Sequence, residues 1–213
     1  AQVPNSNAVA IAAAVAGFGG EPHDLGIIRD RGEDLADLAA RAQGYDLLVT
    51  TGGASVGDHD LVRSALGAVG LEIDFWKIAM RPGKPLLFGR LGDVPVLGLP
   101  GNPVSALVCT LLFVRAAVAR LAGAAAAPLP LETAELARPL PANGERRDFM
   151  RARLHEPAAP DGRPRVHAMR RQDSGMLATL AGADGLLVRP PHDPPRATGS
   201  LVSVVRFTRL PHF

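Results

Sequence analysis

Hydrophobic and polar positions follow two different patterns along this chain, and the change of pattern divides it. From Asn5 to Gly123, short apolar runs alternate with segments of helical spacing. Val9, Ala12, Ala13 and Ala16 fall on one helical face, so residues 4–20 read as a helix. Asn5, Ser6 and Asn7 offer N-cap oxygens, and Gly17, Gly19 and Gly20 end it. His23 to Ile28 reads as a strand that places Asp30 at its carboxyl end. Glu33 to Gln43 reads as a second helix with Leu35, Leu38 and Ala42 as its apolar stripe. Tyr45 to Thr51 reads as a buried strand and Leu61 to Val69 as the helix after it. Leu71 to Ala79 is extended, and Leu86 to Leu91 and Val94 to Leu99 are short strands joined at Gly92-Asp93. A nearly apolar helix runs from Val104 to Leu121. Such alternation predicts a parallel sheet covered on both faces.

Residues 124–131 read as a linker, and beyond them helical periodicity disappears. Short β-like runs recur at Glu132–Leu140, Phe149–Leu154, Arg165–Met169, Gly185–Val188 and Leu201–Phe207. They predict a small all-β domain, a barrel or sandwich. In Phe149-Met150-Arg151-Ala152-Arg153-Leu154 the arginines alternate with apolar residues, as on a half-exposed strand. The expected domains are therefore 1–127, α/β, and 128–213, all β.

Composition narrows the class. The 213 residues are 47% hydrophobic, enough for a sizeable core, and only 4% aromatic. With 23 basic and 21 acidic residues the net charge is +2, which gives no argument for bulk nucleic-acid binding. The one cysteine, Cys109, excludes an internal disulfide and fits a reducing compartment, the cytoplasm. No uninterrupted apolar run reaches the roughly 18 residues of a membrane span, and no signal peptide opens the chain. The chain starts at Ala1 in what reads as mid-domain sequence, so a fragment or processed chain is expected.

Three stretches carry the chemistry. Thr50-Thr51-Gly52-Gly53-Ala54-Ser55-Val56-Gly57-Asp58-His59-Asp60 follows a strand, where open α/β sheets bind ligands. Glycines there let the backbone approach a ligand, and successive N–H groups cradle anions. Met80-Arg81-Pro82-Gly83-Lys84-Pro85, with Lys77 before it, sets three cations around a Pro-Gly turn. In Gly98-Leu99-Pro100-Gly101-Asn102-Pro103-Val104-Ser105, Asn102 suits an N-cap and Pro103 the first helical position. That helix start is a second anion candidate. Zinc spacings, a GxxxxGK[ST] loop and a GxSxG elbow are all missing from the sequence. The six histidines are scattered, and only His59 lies in the glycine turn.

In joint order and spacing these stretches resemble the molybdopterin molybdenumtransferase family, called MoeA in bacteria and represented in animals by the C-terminal domain of gephyrin. The further matching pieces are Asn5-Ser6-Asn7, Leu25 to Asp30, Phe75-Trp76-Lys77, Arg147-Asp148-Phe149-Met150-Arg151 and Gln172-Asp173-Ser174-Gly175-Met176. The resemblance implies a three-layer α/β molybdopterin-binding domain (MoaB/Mog-like) followed by a small β-barrel. The implied reaction inserts molybdate into the dithiolene of adenylylated molybdopterin, releases AMP and uses Mg²⁺. Asp30 and Asp60 would hold the metal or orient water, with Lys77 and Lys84 as further catalytic residues. Gly52, Gly53, Ser55, Gly57, Arg81, Pro100, Asn102, Pro103 and Ser105 would face the cofactor. Arg151 and Ser174 would point from the barrel into a cleft, that of a partner subunit. A homodimer and an upstream molybdopterin adenylyltransferase are the implied partners; nucleic acid and membrane are not. Family enzymes carry further N-terminal domains ahead of the first helix here, and Arg81 stands where many have lysine. Two other readings stay open: a competence-damage-type nucleotide hydrolase, which shares the glycine turn, and a pterin- or peptide-binding scaffold without catalysis.

Overall fold

The computed structural model describes residues 6–28, 32–52, 67–125, 129–155 and 162–210. The described helices are α1 (Ser6–Gly17), α2 (Gly32–Ala42), α3 (Pro103–Leu121) and α4 (Leu177–Ala181). The strands are β1 (Leu48–Thr51), β2 (Leu71–Trp76), β3 (Met80–Arg81), β4 (Leu87–Leu91), β5 (Val94–Leu99), β6 (Leu131–Leu136), β7 (Arg147–His155), β8 (Arg165–Ala168), β9 (Gly185–Arg189) and β10 (Leu201–Arg206). They fall into two compact units. The first takes Ala1–Ile78 and Gly83–Ala127, and the second takes Ala79–Pro82 and Pro128–Pro211.

Among the described residues, the first unit holds a four-stranded sheet in the order β1-β5-β4-β2. Strand β1 pairs parallel to β5, whereas β5–β4 and β4–β2 are antiparallel, so the all-parallel expectation is corrected to a mixed sheet. The reason is length: only Gly92 and Asp93 separate β4 from β5, and a parallel partner needs a crossover of a dozen or more residues. Val94 and Val96 of β5 join Leu35, Leu38 and Ala42 of α2 in one core cluster. Leu97 and Leu99 are buried at the alternate positions, toward the face where α3 packs. Helix α1 lies against α3.

His23–Ile28 forms no strand. Gly26 has φ +82°, and its N–H donates to Asp24 Oδ1 at 2.8 Å, an Asx-turn that bends the expected extended run. Leu25 and Ile28 still pack on the core. The helix expected over Leu61–Val69 lies mostly outside the described residues, although Gly67 and Ala68 are helical.

Helix α3 is long and apolar enough, by length and composition, to cross a membrane. Here it is a core helix, with Val104, Ala106, Val108, Cys109 and Val114 fully buried. Where sequence spacing predicts an uninterrupted α-helix, Thr110–Val114 widens into a π turn. The Thr110 hydroxyl donates to the Ala106 carbonyl at 2.8 Å and competes there with the backbone ladder. Burial pushes the Cys109 thiol up to about 12, so it is an inert core side chain. Arg115 is buried as well, its Nε donating to the Leu111 carbonyl at 3.3 Å.

In the second unit β7, β8, β6, β10 and β9 pair in turn and β9 returns to β7, which closes a five-stranded barrel. This is the small barrel expected from the short β-like runs. Strand β3 adds to it alongside β7. Ala134, Leu136, Ala152, Val166, Leu187 and Val204 form its core. Arg151 departs from the half-exposed expectation: Arg153 is exposed on the same strand face, but Arg151 is covered. The proline-rich segment 189–196 holds a buried ion pair. Arg189 donates from Nε to Asp193 Oδ2 at 2.8 Å and from its terminal nitrogens to the carbonyls of Pro141 and Pro194. Arg196 Nε donates to the other Asp193 oxygen at 3.0 Å.

Candidate functional site

Strand registers of the first unit bring several of the sequence-predicted stretches to one end of the sheet. Thr51, the last residue of β1, sits opposite Leu99, the last of β5. Gly98 of β5 pairs with Leu87, the first residue of β4, and Leu87 pairs with Trp76, the last of β2. The segments after Thr51, after Leu99, before Leu87 and after Trp76 therefore line a single edge. Four adjacent strands make that edge about 14 Å wide.

The centre of the edge is built of close backbone contacts. Gly52 has φ +88°, a conformation that a side chain disfavours. A Cβ on Gly101 would lie 3.4 Å from the Gly52 Cα, so the two turns pack almost backbone to backbone. Asn7 ties them together. Its Nδ2 donates to Thr51 Oγ1 at 2.9 Å and to the Gly101 carbonyl at 2.8 Å, and Thr51 Oγ1 donates to the Pro100 carbonyl at 3.1 Å. Asn7 thus lies inside α1 and serves the neighbouring turns, where the sequence reading gave it a capping role. Nothing in its local sequence signals that, because its partners are 44 and 94 residues away.

Asn7→Ala should lower stability by about 1–3 kcal/mol, since two acceptors lose a largely buried donor. Asn7→Asp should cost at least as much at pH 7, because a carboxylate cannot donate. Urea midpoints check both. Destabilisation under about 0.5 kcal/mol would remove Asn7 from this role.

At the start of α3, Asn102 occupies the N-cap with φ −66° and ψ 126°, and Pro103 takes the first position as expected. The Asn102 side chain makes no capping bond. The first intrahelical bond runs from Ala106 N to the Asn102 carbonyl at 2.9 Å. The N–H groups of Val104 and Ser105 precede it, have no intrahelical acceptor, and add the positive end of the helix dipole. Ser105 and Pro100 are buried beneath the turn.

Lys77 and Lys84 supply the charge. Lys77 N donates to the Leu86 carbonyl at 3.0 Å, and Ile78 N to the Lys84 carbonyl at 2.9 Å, which fixes both main chains beside β4. Lys77 adopts φ +70°, rare for a residue with a side chain. Its Nζ sits 3.6 Å from the centroid of the Trp76 ring, a cation–π contact. Both lysines are exposed. Two ammonium groups, a glycine turn and a helix start on one edge favour an anionic ligand that extends along it.

Asp30, Gly53, Ser55, Gly57 and Asp60 lie outside the described residues. Among the described residues no group of three or more His, Cys, Asp and Glu could hold a metal ion. Arg81, Arg151 and Ser174 belong to the second unit. Arg81 Nε donates to Asp148 Oδ1 at 2.8 Å, and a terminal nitrogen pairs with Oδ2. Asp148 is buried, and its hydrogen bond to Arg81 is the main cause that raises the arginine pKa. Here the planar fork of arginine makes a two-point contact that a lysine cannot. The Arg151 guanidinium is held by main-chain carbonyls.

Residues 1–120 match a family model described as a probable molybdopterin binding domain, and residues 133–207 match the MoeA C-terminal region (domain IV). A molybdopterin molybdenumtransferase from Haemophilus influenzae is 46% identical over 102 residues, 47% of this chain and 25% of that protein. The corresponding protein from Nostoc is 34% identical over 195 residues, 89% of this chain and 44% of its own length. A crystal structure of the molybdopterin biosynthesis moeA protein from Pyrococcus horikoshii superposes with a TM-score of 0.75 at 29% identity, covering 97% of this chain and 49% of that one. The chain spans less than half the length of these curated relatives.

Proposed function

The chain belongs to the MoeA family of molybdopterin molybdenumtransferases, and we propose that it carries part of the site where that family assembles the molybdenum cofactor. The proposed reaction inserts molybdate into the dithiolene of adenylylated molybdopterin and releases AMP. The observation that carries this reading is the common sheet edge shared by Gly52, Gly101, the α3 start, Lys77 and Lys84. Adenylylated molybdopterin is long and polyanionic, which matches an edge about 14 Å wide with cations at one side and N–H donors at the other.

Each group then has a task. Gly52, together with Gly53, Ser55 and Gly57 of the same sequence stretch, would receive a phosphate or pterin edge. Asn102, Pro103 and the first N–H groups of α3 accept an oxyanion. Lys77 and Lys84 offset the charge of molybdate and of the departing phosphate. Trp76 holds the Lys77 ammonium on its ring face, which limits where that charge travels. The described edge offers cations and N–H groups, so hard oxygen ligands for a divalent cation would come from Asp30 and Asp60. Magnesium held there would supply charge neutralisation at the phosphate oxygens. In the second unit, Ser174 with Arg151 behind it would face a cleft of a partner subunit. A homodimer, an upstream molybdopterin adenylyltransferase and a cytoplasmic location complete the proposal.

The test is a titration of the chain, and of the full-length protein from the same gene, with molybdopterin. Saturable binding by both, weakened tenfold or more by Asp60→Ala, supports the reading. A folded full-length protein that binds no molybdopterin overturns it.

A further inference from the structure

Arg151 stands at the middle of β7 with 1% of its surface exposed, among the most deeply buried charged groups described. A buried guanidinium ordinarily finds a carboxylate. Arg151 finds main-chain carbonyls: one terminal nitrogen donates to the carbonyl of Asp173 at 3.0 Å and to that of Arg171 at 3.3 Å. Its Nε is buried without a hydrogen-bond partner. Such an N–H costs free energy unless the rest of the group returns more.

The contacts are reciprocal. Gln172 Oε1 accepts from Arg151 N at 3.0 Å, while Gln172 Nε2 donates to the Arg151 carbonyl at 3.0 Å and to the Met169 carbonyl at 2.8 Å. Met169 N donates to the same Arg151 carbonyl at 2.8 Å. Beyond Gln172, Asp173 Oδ1 accepts from Gly175 N at 2.7 Å, which closes a turn around Ser174. The side chain of Arg151 thus fixes the loop, and the side chain of Gln172 fixes the main chain of Arg151. In this setting the guanidinium is almost closed off from solvent, and one terminal nitrogen donates to the loop.

We infer that Arg151 is a positioning residue: it acts through the loop Arg171–Gly175, holding Ser174 in place, and does not itself contact the ligand. The inference rests on the functional reading above, which gives Ser174 a place against the substrate. Burial lowers the Arg151 pKa, and the charge of Asp173 partly opposes this. Arg151→Lys keeps the charge but ends in an ammonium on a shorter stem, which falls short of the point where the terminal guanidinium nitrogen meets both carbonyls.

The test has two arms. In the first, amide hydrogen exchange of residues 172–176 is compared in the wild-type chain, Arg151→Lys, Gln172→Ala and Ser174→Ala, at matched global stability. Arg151→Lys and Gln172→Ala are each expected to speed exchange in that loop about tenfold, with β9 and β10 unchanged. Ser174→Ala should leave it unchanged. In the second, molybdopterin affinity of the full-length protein is measured for Arg151→Lys, Ser174→Ala and the double variant. If Arg151 acts only through Ser174, the double variant loses no more than Ser174→Ala alone. Unchanged loop exchange in Arg151→Lys overturns the inference, as do additive affinity losses, which would mark a direct ligand contact. A wild-type full-length protein that binds no molybdopterin overturns the functional reading and the role of Ser174 with it. The exchange arm would then still decide whether Arg151 holds the loop.

Discussion

Asp193→Ala is expected to lower the stability of the barrel unit by about 3–5 kcal/mol, the largest single-residue effect on folding argued from this structure. Asp193 and Arg189 are both almost fully buried and meet at 2.8 Å. Removing the carboxylate leaves the Arg189 guanidinium buried with carbonyls of Pro141, Asp193 and Pro194 but no counter-charge. That uncompensated charge, more than the lost bond, sets the size of the effect. Thermal melting should shift down by roughly 10 °C or more. The double variant Arg189→Met/Asp193→Leu should recover part of the loss, because it removes the buried charge pair but leaves Arg196 and the three carbonyls without these partners. A single variant within 1 kcal/mol of wild type would show that the pair contributes little.

The same carboxylate makes the barrel acid-sensitive. The hydrogen bond from Arg196 holds the Asp193 carboxyl below the usual carboxylate range, with Arg189 acting in the same direction and burial opposing. A pKa lower in the folded state than in the unfolded one means that the unfolded state takes up protons first. The stabilisation from Asp193 is then complete above the unfolded value, about 3.9, and is lost as pH falls through the folded value.

Periodicity made much of this fold legible. The stripe Leu35, Leu38 and Ala42 gave α2, and the short β-like runs of the second unit became its barrel strands. Turn chemistry was legible for a related reason: Gly52 takes a positive φ that a side chain disfavours, and Pro103 takes the first helical position that suits it. Features that depend on partners far along the chain were hidden. The bend at Gly26 needed the Asp24 side chain to compete with strand pairing. Asn7 looks like a cap until its partners across the fold are known. Arg151 and Arg153 share one strand face and look alike in sequence, yet a loop twenty residues on buries the first and leaves the second exposed. The parallel-sheet expectation failed because a pattern of strand and helix says nothing of direction once a two-residue turn intervenes.

Lys84→Ala is expected to lower kcat/KM of the full-length enzyme by about 10²–10³-fold, mostly through kcat, while leaving the fold intact. The two halves of this expectation have separate causes. The main chain of Lys84 is fixed by the bond from Ile78 N to its carbonyl, which alanine keeps. The side chain is exposed, and exposed substitutions of this kind move stability by no more than about 0.5 kcal/mol. Its charge, however, stands on the edge where the molybdate and phosphate oxygens are proposed to sit, and removing a placed cation from a developing anion is costly. Lys84→Arg should recover part of the rate but not all, because a planar fork replaces a compact ammonium. Steady-state kinetics of the three proteins beside their urea midpoints separate the cases. A fall confined to KM would mark Lys84 as a ground-state contact only. Activity within twofold of wild type would take Lys84 out of the chemistry and leave Lys77, held against Trp76, as the described cation on this edge.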